Sequence, residues 1–214
     1  MIKVGSRTFI RLTKAVLWPL CLAPIILLLL AAFKLFGFEL GANPIEEILH
    51  TLGKWGLKFL LITLSITPLR RWTGQNWLIS YRRMMGLFAF FFIFLHFLVY
   101  LVLDQSLDMA AVVEDILERP YITLGMTGLI LMLPLALTST RGMIRRLGKR
   151  WQKLHRLVYA IGILGVWHFY WQVKLDTLEP TLYAVILAVM LGARLWFRRQ
   201  KSRLQKAQVA ALSA

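Results

Sequence analysis

Acidic residues are scarce in this chain. Its 214 residues include 10 Asp and Glu against 26 Lys and Arg, and charged residues of either sign make up only 17%. A water-soluble domain carries about a quarter charged residues. With 58% of positions apolar, a soluble enzyme, a coiled coil and a disordered chain are excluded. Cysteine is nearly absent: Cys21 stands alone inside an apolar run. No internal disulfide can form, no Cys-x-x-Cys-His sequence attaches a haem covalently, and Cys21 reads as a packing or lipid-facing residue. No glycine-rich dinucleotide fingerprint follows a strand, so there is no nicotinamide domain. No segment alternates as a membrane strand does.

What the chain has instead is a series of long apolar runs. At roughly 20 residues per span, this length holds about six membrane helices and little else. Ala15–Phe33 is uncharged and is followed by Lys34 rather than a small-residue cleavage site, so it reads as a retained anchor. Asn43 and Pro44 start a second helix, with Glu46 and Glu47 suiting its positive end. It is expected to enter the membrane near Trp55 and to end near Thr67, because Pro68 disfavours helix just before it. Met84–Leu103, Pro120–Thr140, Leu157–Val173 and Pro180–Ala193 complete the set. The last extends through Phe197 if Arg194 snorkels to the headgroups. The expected fold class is an all-α membrane protein, a six-transmembrane-helix bundle. Residues 1–14 form a cytoplasmic N-terminus, 15–200 the bundle and 201–214 a basic cytoplasmic tail.

The charges orient these spans. With the N-terminus in the cytoplasm, every basic residue except Lys34, Lys54, Lys58, Arg119 and Lys174 falls inside, and all 10 acidic residues fall outside. The positive-inside rule therefore predicts that both termini are cytoplasmic. The basic excess meets anionic lipid, and nucleic acid is not needed to explain it.

Ionisable residues within spans are functional hypotheses by default. His50 lies in the outer segment before the second span and reads as structural or solvated. His96 lies near the middle of the third span, biased outward, and His168 lies about six residues from the outer end of the fifth. The two can meet at one depth, as two-histidine haem ligation requires. His155 lies at the inner end of the fifth span, about 20 Å of helix rise from His168, a spacing suited to two stacked haems. Polar packing and proton translocation remain open for all three. Thirteen residues leave an ideal helix roughly 220° past whole turns. His155 and His168 therefore do not share a face unless a kink near Gly162 and Gly165 realigns them, or haems approach from different sides. Arg82 lies on the face of His96 at the inner end. Arg82 and Arg83 are poor iron ligands but suit haem propionates or a flavin phosphate. Two lipid-facing positive-inside arginines are the bland alternative.

These residues sit in recognisable stretches: Gly41-Ala-Asn-Pro-Ile-Glu46, Ile66-Thr-Pro-Leu-Arg70, Arg82-Arg83-Met-Met-Gly-Leu87, Arg119-Pro-Tyr-Ile-Thr-Leu-Gly125, and Leu147-Gly-Lys-Arg-Trp-Gln-Lys-Leu-His155-Arg-Leu-Val-Tyr159 leading to His168. Over about residues 10 to 200 the chain resembles the ferric-reductase-like transmembrane domain superfamily. Within it, the chain is similar to the MsrQ (YedZ) family, the haem-binding membrane subunits of protein-methionine-sulfoxide reductase systems. The resemblance implies a six-helix b-type cytochrome of the bacterial inner membrane. Such a subunit passes electrons from the quinone pool to a periplasmic molybdenum-cofactor subunit, MsrP, and FMN is associated with the family. By matching position, His96, His155 and His168 are its haem-iron histidines, serving one haem b or two. Arg82 or Arg83 stands where the wider superfamily has a fourth histidine, which bears on the occupancy of an inner haem.

A haem carrier needs a source and a sink of electrons, and the sequence encodes neither. The outer loops are about 20 residues or less, too short for a catalytic domain. Quinol or a cytosolic flavin reductase must donate, and a periplasmic enzyme must accept, so no catalytic residues are expected in this chain. The alternatives are a cytochrome b subunit of another quinol-linked oxidoreductase and a haem-free proton-coupled transporter.

Overall fold

The computed structural model describes residues 3–173 and 177–212. Lys174 and Asp176, which the sequence assigns to the outer side, lie outside the described residues. Among the described residues, the α-helices are α1 (Arg7–Ala32), α2 (Pro44–Thr73), α3 (Arg82–Val99), α4 (Met109–Glu118), α5 (Pro120–Leu137), α6 (Arg141–Leu147), α7 (Lys149–Leu154), α8 (Leu157–Gln172) and α9 (Leu178–Leu212). A π-helical turn, Tyr100–Asp104, extends α3.

Local chemistry sets most of the boundaries. The Ser6 hydroxyl accepts the Phe9 N–H at the start of α1. The Asn43 side chain accepts the Glu46 N–H at the start of α2, and Pro44 occupies the first helical position, where its missing N–H costs nothing. α2 does not end at Thr67. It runs through Pro68 and stops at Gly74, whose φ of 71° is left-handed. Proline in a helix leaves the carbonyl four residues back without its N–H partner. That carbonyl belongs to Leu64, and Arg194 Nη2 donates to it at 2.7 Å. Arg194 therefore points into the bundle, not out to the headgroups. One long-range hydrogen bond overturns both sequence expectations.

Four segments are long and apolar enough to cross a membrane: Arg7–Ala32, Asn76–Asp104, Pro120–Leu137 and Leu178–Gln200. α2 falls short of that measure because it carries Lys54, Lys58 and acidic residues, and α8 because it has 16 residues. Both nevertheless pack at the centre. α2 lies along α3, and α5 lies along α8, as the most extensive contacts in the protein. The core includes Leu57, Leu60 and Leu64 of α2, Phe88 and Phe92 of α3 and Ile161 of α8. Large apolar side chains such as Trp18, Ile130, Leu137 and Trp196 face outward. An apolar exterior around hydrogen-bonded helices is what a bilayer demands, and the chain is a membrane protein.

The chain reverses so that like charges gather. Glu46, Asp104, Asp115 and Glu179 mark one end of the bundle, called here the acidic end. Arg70, Arg71, Arg82, Arg83 and the α6–α7 segment mark the other, the basic end. α9 continues as helix through Leu212, into the basic tail.

Candidate functional site

His96 and His168 meet inside the bundle. Their ring centroids are 6.2 Å apart and their planes stand at 80°. Each ring is fixed in the same way. His96 Nδ1 donates to the Leu49 carbonyl at 2.9 Å, and His168 Nδ1 donates to the Tyr121 carbonyl at 2.6 Å. A backbone carbonyl on Nδ1–H sets the tautomer and leaves the Nε2 lone pair free for a metal.

Glycines make these contacts possible. A Cβ on Gly53 would lie 3.2 Å from His96 Nδ1, and one on Gly125 would lie 3.0 Å from His168 Nδ1. Each glycine sits four residues after the accepting carbonyl, so it uncovers that carbonyl and lets the ring lie against the helix. This arrangement exposes a duplication that the sequence reading missed. Thr51-Leu-Gly-Lys-Trp-Gly-Leu57 in α2 recurs as Thr123-Leu-Gly-Met-Thr-Gly-Leu129 in α5. In each half the histidine follows its accepting carbonyl by 47 residues. The repeated Thr-Leu-Gly-x-x-Gly-Leu, with a histidine at constant distance, was the signal available in the sequence.

The histidine pair lines an acidic-end cavity walled by Leu57, Leu60, Ile93, Leu129, Met132 and Ile161. Gly128 is buried on its wall, yet a Cβ there would meet nothing within 4 Å. The space beside it is therefore of side-chain size or larger. Among the described residues, no group of three or more His, Cys, Asp or Glu gathers. A pair of neighbouring imidazoles, without a larger group of His, Cys, Asp or Glu among the described residues, matches a metal whose other positions belong to a macrocycle. Two metal–nitrogen bonds of about 2 Å, with ring radii of about 1 Å each, span about 6 Å, which is the separation found. The residues present fit an axially held haem.

Lys54 and Arg119, which line this cavity, are both paired. Lys54 Nζ meets Glu179 at 2.6 Å, and Arg119 meets Asp115 at 3.1 Å. Asp115 also accepts from Tyr100 and Gln105, each at 2.9 Å. Its carboxylate holds the Arg119 pKa above the ordinary value, against a smaller effect of burial. His50 accepts from Gln172 Nε2 at 2.7 Å, a structural placement.

A basic-end cavity lies beyond Leu60, Met132 and Ile161, which line both. His155, Arg82, Arg83 and Arg194 line it. His155 and His168 thus face different cavities. The helix is interrupted at His155–Arg156, before α8 starts, and not at Gly162 or Gly165. The His155 ring lies 3.9 Å from that of Trp151, and its Nε2 is 3.4 Å from the Thr138 hydroxyl. Arg83 precedes His96 by the interval that separates His155 from His168. Arg83 is therefore the counterpart of His155 in the duplicated halves. Arg194 was missed as a cavity residue, since nothing local marks where a long side chain turns.

Comparison with known proteins places this architecture. Residues 52–166 match the family described as ferric reductase like transmembrane component. A protein-methionine-sulfoxide reductase heme-binding subunit MsrQ from Ralstonia nicotianae is 48% identical over 192 residues, 88% of this chain and 87% of that protein. The MsrQ of Xanthomonas oryzae pv. oryzae is 48% identical over 205 residues, 92% of this chain and 94% of its own. That of Xanthomonas euvesicatoria pv. vesicatoria is 55% identical over 157 residues, 73% and 72% of the two chains. No solved structure matches. With the ferric-reductase match over residues 52–166 and this identity across most of the chain, the protein belongs to the MsrQ family of ferric-reductase-like membrane proteins.

Proposed function

We propose that this chain is the membrane electron carrier of a protein-methionine-sulfoxide reductase system. It spans the bacterial inner membrane six times, with α2 and α8 joining the four apolar segments and both termini in the cytoplasm. The observation that carries the reading is the His96–His168 pair, with both Nδ1 atoms anchored on carbonyls and a ring separation of 6.2 Å. These two residues hold a haem b at the acidic end. Bound there, the haem supplies a one-electron couple.

The chain's own residues do the rest. The Leu49 and Tyr121 carbonyls keep both imidazoles in the ligating tautomer. The apolar wall excludes water, and Leu60, Met132 and Ile161 set a thin partition between the two cavities. At the basic end His155, Arg82 and Arg83 bind a second group, a further haem b or FMN, whose acidic substituents suit the arginines. Quinol, or a cytosolic flavin reductase, delivers electrons there. A periplasmic MsrP-like molybdoenzyme collects them at the acidic face and carries out the reduction of methionine sulfoxide. No substrate chemistry belongs to this chain.

Redox titration of purified protein, with haem and flavin quantified per chain, tests the reading. A low-spin haem b spectrum lost in both His96→Ala and His168→Ala is expected. Protein that folds with adequate haem supply yet carries none supports a haem-free proton-coupled transporter instead.

A further inference from the structure

Arg194 is a charged residue of the basic-end cavity that the sequence reading sends to the lipid headgroups instead. Its guanidinium is carried inward from α9 and held at two points. Nη2 donates to the Leu64 carbonyl, and Nη1 donates to the Tyr159 hydroxyl. The guanidinium carbon lies 5.0 Å from the centre of the Tyr159 ring. Its Nε is buried and has no partner. Arg82 lines the same cavity. Among the described residues, no carboxylate lies within ion-pair distance of Arg82, Arg83 or Arg194, whereas Lys54 and Arg119 at the other end are both paired. A partly buried guanidinium inside a bilayer-spanning bundle is costly without a counter-anion, and this cavity gathers three around one histidine.

We propose that Arg194 is an anion anchor of the basic-end cavity, holding a carboxylate or phosphate of the group bound there. The inference rests on the reading that a cofactor occupies this end. Leu64 and Tyr159 fix the fork in place before the ligand arrives, so little side-chain freedom is lost on binding. The ligand's oxyanion neutralises a charge that the chain leaves uncompensated. Arg194 thus has two duties, to the Leu64 carbonyl that Pro68 strands and to the ligand.

Substitution separates the duties. Pro68→Ala returns an N–H to the Leu64 carbonyl, so α2 no longer depends on Arg194. The comparison is wild type, Pro68→Ala, and Pro68→Ala with Arg194→Gln, each prepared from haem- and flavin-limited cells and checked for wild-type helical content. Each is titrated with haemin, with the haemin dimethyl ester, with FMN and with riboflavin. The expected result is that wild type and Pro68→Ala bind one of the acidic probes better than its neutral analogue, and that the double variant weakens that probe by about tenfold or more, the scale of one charge-assisted hydrogen bond, while leaving the neutral analogue unchanged. Haemin against its ester reports a carboxylate, and FMN against riboflavin reports a phosphate. Equal binding of the acidic probe by Pro68→Ala and the double variant overturns the proposal and leaves Arg194 as the partner of Leu64 alone. Wild type that takes up neither haemin nor FMN beyond the acidic-end haem overturns the proposal together with the basic-end cofactor. Wild type that takes up no haem at either end fails the function reading itself.

Discussion

Replacing Gly125 with alanine should separate the stability of the helix from the grip on the metal. The new Cβ would stand 3.0 Å from both Cε1 and Nδ1 of His168. Ordinary carbon contacts begin near about 3.5 Å, so the ring must retreat by about half an ångström. That retreat stretches the 2.6 Å bond to the Tyr121 carbonyl and loosens the ring's orientation. Losing the partner that orients a metal-bound histidine costs about 10- to 100-fold in metal affinity. The same change removes a helix-interior glycine from α5, which stabilises the helix by up to about 1 kcal/mol. Affinity and stability are therefore expected to move in opposite directions. Haem transfer to an excess of apo-globin scavenger measures the first, and thermal unfolding of haem-free protein in detergent measures the second. Gly53→Ala should act more mildly on His96, since its Cβ would lie 3.2 Å from Nδ1. A Gly125→Ala protein that gains stability and releases haem no faster than wild type would refute the argument that these glycines seat the ligating rings.

His96→Ala and His168→Ala should each abolish the low-spin haem b spectrum, read directly by optical and electron-paramagnetic spectroscopy; either variant keeping a wild-type spectrum breaks the pairing. Arg83→His should place a histidine opposite His155 and add a second low-spin haem per chain, while Arg82→His should not; equal haem content in both variants would dissolve the equivalence of the two halves. Gly56→Ala should destabilise the fold by about 1–3 kcal/mol through overpacking, because its Cβ would lie 2.5 Å from Ile93 Cγ1 and 3.3 Å from the Ile93 backbone nitrogen, seen as a lower melting temperature with or without haem. Gly128→Leu should leave the haem-free fold intact, since its Cβ meets nothing within 4 Å, and should lower haem per chain by filling the cavity; unchanged haem content would show that the space beside Gly128 is not the binding space.

The parts of this protein that the sequence made legible are those governed by neighbours a few residues apart. The start of α2 follows from Asn43, Pro44 and Glu46 acting within one turn, and the structure shows that cap. The apolar runs match helices of the structure, and His96 and His168, singled out as histidines of two spans, lie side by side. The parts that were not legible depend on partners far along the chain. Whether Pro68 ends α2 is decided by a donor 130 residues away from Leu64. Whether Arg194 reaches lipid headgroups is decided by the same bond. The interruption of the helix at His155–Arg156, rather than near Gly162 and Gly165, was likewise unmarked by helical periodicity.

The duplication explains why one cavity was easier to read than the other. In both halves a glycine helix offers a carbonyl to a histidine on its partner helix, α2 to α3 and α5 to α8, and the two rings lie 6.2 Å apart. Two like halves that each contribute one histidine make a matched pair, and matched residues can be recognised as a pair. Thirteen residues earlier the halves diverge: one has His155 and the other has Arg83. An arginine stays protonated and cannot give a lone pair to iron, so this end cannot repeat the chemistry of the first. It gathers cations instead, Arg82 and Arg83 from α3 and Arg194 from α9, around a single imidazole. On the proposed reading, the acidic end would hold a metal between two histidines, and the basic end would hold the anionic side of the group that passes electrons to it.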